Sequence, residues 1–134
     1  MLDVVKRCVL EGKELVKGAD KNVSLFFYLA ANGELMVMNG EERTGAFNSV
    51  LFDYRSVSNN AASAGEGAIE KITSVVYIYN HRIDGVEPTR KDIKTYRDLE
   101  ILFKEQGLEL IDGVILSPNS DYAYSLQTRR RERI

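Results

Sequence analysis

His81 is the only histidine in the chain, and only Asn80 separates it from a run of apolar and aromatic residues, Ile72 to Tyr79. An imidazole at a strand end can bind a metal, pair with a carboxylate, or hold a structural place. Beyond a loop, Pro88 and Thr89 precede Asp92 at the start of a helical pattern. Thr89 has the right chemistry for an N-cap, and Asp92, three residues on, completes a variant of the capping box at the positive end of the helix dipole. Both therefore have structural roles open to them beside any chemical one. Tyr79 is expected to pack in the space between these residues and hydrogen-bond to Asp92. Asn22, just ahead of the first apolar run, reads as a polar residue at a strand edge. No second imidazole exists, and the single cysteine, Cys8, lies in the first helical stretch with no histidine near it. Disulfides within the chain and cysteine zinc clusters are thereby excluded.

The elements that must hold these residues can be read from periodicity. Residues 2–17 carry Leu2, Val5, Val9 and Leu15 on one helical stripe, with Gly18 as a stop. Val23 to Leu29 and Leu35 to Met38 are apolar runs separated by Ala30-Ala31-Asn32-Gly33, and Asn-Gly signals a hairpin. The first run is apolar on both faces, which predicts a central strand covered twice. Residues 39–68 are less regular: Phe47 to Phe52 reads as a strand, and Ser56 to Gly67 as a loop with a helix from about Ser63. Ile72 to Tyr79 is a buried strand rich in β-branched and aromatic residues. A helix follows from Thr89, with Ile93, Tyr96, Leu99, Leu102 and Phe103 at helical spacing and Gly107 at its end. Leu108 to Leu116 and Tyr122 to Leu126 are the last two strands, joined by a turn at Ser117 to Ser120. This order predicts an α/β fold, a sandwich of helices around a mixed sheet.

At 134 residues and 15.1 kDa the chain makes one domain, residues 1–134. Its 44% hydrophobic and 28% charged content excludes disordered, coiled-coil and collagen-like classes. The net charge of −2 is not that of a duplex-binding module. Arg129, Arg130, Arg131 and Arg133 are the one dense basic cluster. They either contact phosphate or nucleic acid or form a solvated end, and residues 127–134 are expected to be a flexible tail. Charges run through the N-terminal segment, and no apolar run reaches membrane-spanning length, so a cytoplasmic location is expected.

Tyr79-Asn80-His81, the loop, and Pro88-Thr89 with Asp92 resemble the RadC family of JAB/MPN (JAMM) domains. That family shows His-Asn-His-Pro at a strand end, then a loop, then Pro-Ser-x-x-Asp at a helix start. Tyr79 stands at the first His, His81 at the second, Thr89 at the Ser and Asp92 at the Asp, with no gap. Gly107 to Ile115 is similar to the family's Gly-Ile-x-Leu-Leu-Asp-His-Ile-Ile segment, and Tyr124-Ser125-Leu126 to its Tyr-Ser-Leu. Asn22 to Met36 is similar to its Glu-x-Phe strand, turn and return strand, with Asn22 at the Glu. Gly45 to Ser49 resembles its Gly-Thr-x-Asn-Ser segment. The resemblance covers about residues 20–126 and implies a three-layer αβα sandwich of the cytidine-deaminase-like type.

Active members of that family would bind zinc through the two His and the Asp, with a Glu activating the zinc-bound water and a Ser steadying the tetrahedral intermediate, to hydrolyse amide or isopeptide bonds. This chain has Tyr79, Asn22, Arg82 and Gly113 where the family has His, Glu, Pro and His. A phenol titrates near 10, and an amide takes no proton. Only His81 and Asp92 remain of the implied ligands. The resemblance therefore implies a catalytically degenerate JAB domain, without cofactor or confident catalytic residue. It would act by binding a protein, a peptide or a second copy of itself, in this fold class by strand addition beside the former metal site. The alternatives are a divergent zinc hydrolase drawing a ligand from Glu41, Glu42, Asp84 or Glu87, or a DNA-associated accessory protein acting through the four arginines.

Overall fold

The computed structural model describes residues 1–17, 22–43, 72–81, 85–118 and 120–134, without the side chains of residues 39 and 41–43. Among them, α1 is Asp3–Val16, β1 Asn22–Ala30, β2 Leu35–Arg43, β3 Ile72–Asn80, α2 Arg90–Glu105, β4 Glu109–Leu116, β5 Tyr122–Ser125 and β6 Arg130–Arg133. The strands form one sheet in the order β2-β1-β3-β4-β5-β6. Only β3 and β4 run parallel, because α2 carries the chain back between them; every other neighbour is antiparallel. The strand expected over Phe47 to Phe52, the helix expected from Ser63, and the stop at Gly18 lie outside the described residues.

Side-chain alternation on the central strands sorts the core into two layers. Leu25, Phe27 and Leu29 of β1, with Val76 and Ile78 of β3, pack against Val5, Cys8 and Val9 of α1. Phe26 and Tyr28 of β1, with Tyr77 and Tyr79 of β3, pack against Tyr96, Leu99 and Phe103 of α2. The helices thus cover opposite faces, a three-layer αβα sandwich, and β1 and β3 are apolar on both faces because each is covered twice. Neither described helix is long and apolar enough to cross a membrane.

The local signals work as their chemistry requires. Gly33 adopts φ +84°, which a side chain would resist, and Ala30 N–H donates to Glu34 O at 2.9 Å to close the β1–β2 hairpin. Gly107 takes φ +77° after α2; it donates to Lys104 O at 3.0 Å, and Leu108 donates to Phe103 O at 2.8 Å. That pair of bonds is a Schellman motif.

Two expectations need correction. The buried stripe of α1 is Val5, Cys8, Val9 and Gly12, while Leu2 and Leu15 are 63% and 52% exposed. Leu2 precedes the helix, and Leu15 is rotated off the face that Val5 and Val9 define. Residues 127–134 do not form a flexible tail: after a turn, Arg130–Arg133 pair antiparallel with β5 as an edge strand. The arginines stay in solvent while their backbone completes the sheet.

Candidate functional site

The described candidates gather at the carboxyl end of β3. His81 lies one residue past the strand, yet its N–H donates to Leu116 O of β4 at 2.7 Å, so the ladder fixes its backbone. Tyr77, Tyr79 and His81 alternate onto the α2 face. Their rings form a ladder: Phe26 stacks on Tyr77 at 5.1 Å, Tyr77 on Tyr79 at 5.3 Å, and Tyr79 meets His81 edge-on at 5.4 Å. Such pairs favour offset or edge-to-face contact and add stability beyond area burial.

Asp92 reaches this ladder from the first turn of α2. Thr89 Oγ1 accepts from Asp92 N–H at 3.1 Å, and Asp92 Oδ2 accepts from Thr89 N–H at 2.7 Å, a reciprocal capping box. The same Oδ2 lies 2.8 Å from His81 Nε2, and the Tyr79 hydroxyl lies 3.2 Å from that nitrogen. A proton on Nε2 gives the carboxylate a donor, so that is the tautomer the arrangement selects. His81 and Asp92 are 1% and 2% exposed. His81 Nδ1 and Asp92 Oδ1 have no hydrogen-bond partner among the described residues.

Burial alone would raise the Asp92 carboxyl, but hydrogen bonds from His81, Thr89 N–H and the Tyr79 hydroxyl, with the charge interaction of His81, hold it below its ordinary value. Burial pushes the Tyr79 phenol far up, and Tyr77 and Asp92 add to the shift. Tyr79 is therefore a protonated hydroxyl here, a hydrogen-bonding group and not an anion.

The structure brings Tyr79, His81, Thr89 and Asp92 together. Asn22 begins β1 at the same end of the sheet, since Ser24 pairs with Tyr79 and Val23 N–H donates to Asn80 Oδ1 at 2.6 Å. Arg129, Arg130, Arg131 and Arg133 belong to the β5–β6 hairpin, with β6 at the sheet edge, three places along from β3. Arg82 and Asp84 lie outside the described residues, as do the side chains of Glu41 and Glu42, and Glu87 is exposed. Among the described residues no group of three or more His, Cys, Asp or Glu side chains converges.

A second buried network has no counterpart in the sequence reading. Asp112, 2% exposed, accepts from Ser125 Oγ at 2.6 Å and from Gln127 N–H at 3.2 Å. Ser125 Oγ accepts in turn from Thr128 N–H at 3.1 Å, so one carboxylate ties β4 to the β5–β6 turn. Burial raises the Asp112 carboxyl, against hydrogen bonds from Ser125, Gln127 and Gly113. The available signal was an aspartate inside an otherwise apolar strand, Leu110-Ile111-Asp112-Gly113-Val114. Beside it, the Tyr96 ring lies over Gly113: a Cβ there would come 2.6 Å from Tyr96 Cδ2.

A family model described as the RadC-like JAB domain matches residues 10–132. The chain belongs to the RadC-like JAB domain family. The match runs from within α1 into β6, so the whole mixed sheet, the His81–Asp92 cluster and the β5–β6 hairpin are parts of the RadC-like JAB domain. A search of the curated proteins finds no match.

Proposed function

We propose that this RadC-like JAB domain is a binding module whose hydrolytic metal site has been lost. The observation that carries the reading is the direct pairing of the two remaining donors, His81 Nε2 and Asp92 Oδ2, at 2.8 Å. A catalytic zinc takes three protein ligands and keeps a fourth position for water. The described donors do not fit such an ion: one imidazole and one carboxylate satisfy each other, and the third group is a phenol that burial keeps protonated. Asn22 at the same end of the sheet cannot accept a proton as a carboxylate would. What remains is a rigid, packed sheet end, suited to presenting surfaces and not to activating water. The partner is a protein or peptide, and the domain needs no cofactor.

Titration of the purified chain with cobalt(II), followed by visible absorption, tests this. No stoichiometric tetrahedral spectrum is expected from the wild type. Tyr79→His supplies a second imidazole beside His81 and is expected to tighten cobalt binding by about tenfold or more. A one-to-one tetrahedral spectrum from the wild type, lost in His81→Ala protein that remains folded by circular dichroism, would overturn the reading.

A further inference from the structure

We propose that the outer edge of β6, which among the described strands pairs with β5 alone, docks an acidic peptide in extended form, which adds to the sheet as its next strand. The phase of the ladder shows which backbone groups are on offer. Ile134 N–H donates to Asp121 O at 2.8 Å, and Tyr122, Ala123, Tyr124 and Ser125 lie opposite Arg133, Glu132, Arg131 and Arg130. Antiparallel pairs alternate between bonded and non-bonded. With Asp121 and Ile134 bonded, the Ala123–Glu132 and Ser125–Arg130 pairs are bonded too, and the pairs of Arg131 and Arg133 are not. The N–H and C=O groups of Arg131 and Arg133 therefore point away from β5, toward the outer edge.

The same two residues carry the charge. Pleating sets Arg131 and Arg133 on one face with Tyr122 and Tyr124, and the Arg131 guanidinium lies 4.9 Å from the centre of the Tyr122 ring. Arg129, Arg130, Arg131 and Arg133 are all exposed, and among the described residues none of them is in an ion pair. Along the hairpin, Tyr96, Arg97, Tyr124 and Arg129, with one carboxylate, Glu100, line a groove of about 370 Å³ that runs toward α2.

These features select the occupant. A second copy of this chain pairing edge to edge would set arginine against arginine, an arrangement that native sheets use to prevent self-association. A peptide with carboxylates at alternate positions meets Arg131 and Arg133 at cross-strand distance while its backbone satisfies their N–H and C=O groups. A single-stranded nucleic acid offers phosphates to the guanidinium groups but no backbone N–H donors repeating at strand spacing for those carbonyls. The proposal supplies a partner class for the binding-module reading, yet its site is remote from His81, so the cobalt titration and the test below fail separately.

The probe is a fluorescent, acetylated peptide alternating glutamate and threonine over about eight residues, enough to span the edge. Saturable binding to the wild-type chain is expected, with slowed hydrogen exchange at the Arg131 and Arg133 amides. N-methylation of alternate peptide amides removes the strand's donors without touching its charge, and is expected to weaken binding about tenfold or more. Arg131→Glu/Arg133→Glu is expected to weaken it by at least as much, since it also inverts the charge. No saturable binding, or equal affinity for the N-methylated peptide, would overturn the proposal even if the variants failed to fold. Tighter binding of a single-stranded oligothymidylate with the same arginine dependence would overturn it in favour of nucleic acid.

Discussion

Asp92→Ala is expected to destabilise the fold by about 2–4 kcal/mol, the cost of leaving two enclosed donors without their carboxylate acceptor. Two bonds converge on this side chain, from His81 Nε2 and from Thr89 N–H to Oδ2, and the second is half of the capping box that fixes the first turn of α2. Truncation leaves the imidazole and the Thr89 N–H buried without acceptors, and each carries a desolvation cost. Urea unfolding of the variant against the wild type measures the loss. A cost below about 1 kcal/mol, the value of a cap alone, would show that the His81 contact contributes nothing.

The same carboxylate sets a pH signature. Its folded value lies below its ordinary one. Its contribution is therefore complete above the unfolded value, near 4, and is lost as pH falls through the depressed folded value. Asp92→Asn has no such group to titrate. The stability gap between wild type and Asp92→Asn is expected to hold steady above about pH 5 and to narrow below about pH 4. Unfolding curves at stepped pH would show it; a gap unchanged into strong acid would refute the assigned interactions.

Gly113→Ala is expected to cost up to about 3 kcal/mol, although alanine is ordinarily better than glycine inside a strand by about 0.5–1 kcal/mol. The added methyl would sit 2.6 Å from Tyr96 Cδ2, 2.9 Å from Cε2 and 3.2 Å from Leu126 Cδ1. Tyr96 cannot simply swing aside, because it is 5% exposed and its hydroxyl donates to Gln127 Oε1 at 2.8 Å. Either the ring turns and breaks that bond, or α2 lifts from the sheet. In a Tyr96→Leu background the same substitution should cost much less, and thermal unfolding of the four proteins gives that coupling directly. Additive effects would mean that the ring and the glycine do not interact.

The sequence showed most clearly those parts that local rules govern. The Thr89–Asp92 capping box, the Asn-Gly hairpin and the Gly107 stop each have a fixed chemical requirement, and each appears where its residues predict. The doubly covered strands were legible because Val23 to Leu29 and Ile72 to Tyr79 lack polar alternation. β6 was not legible: four arginines in five positions read as solvated, since side-chain polarity says nothing about whether the backbone is paired. The Asp112–Ser125 tie was hidden for the opposite reason. Its two members look like isolated polar residues until β4 and β5 lie side by side. At the candidate site, sequence named Tyr79, His81, Thr89 and Asp92 but could not say that the hydroxyl, the imidazole and the carboxylate meet around one nitrogen.

Cys8 lies on the sheet-facing side of α1, 3% exposed, and burial, with Glu11 adding and Arg7 opposing, pushes its thiol up to about 11. At neutral pH almost no thiolate exists in the folded chain, and no reagent reaches it. An aromatic disulfide reagent can react only during the moments when the helix detaches. Because the chain has no other cysteine, the colour released with time counts the openings that expose Cys8 and no others. Covering one side of the sheet with a helix that carries the lone sulfur has thus built a clock into the protein, one that reads how often that layer opens.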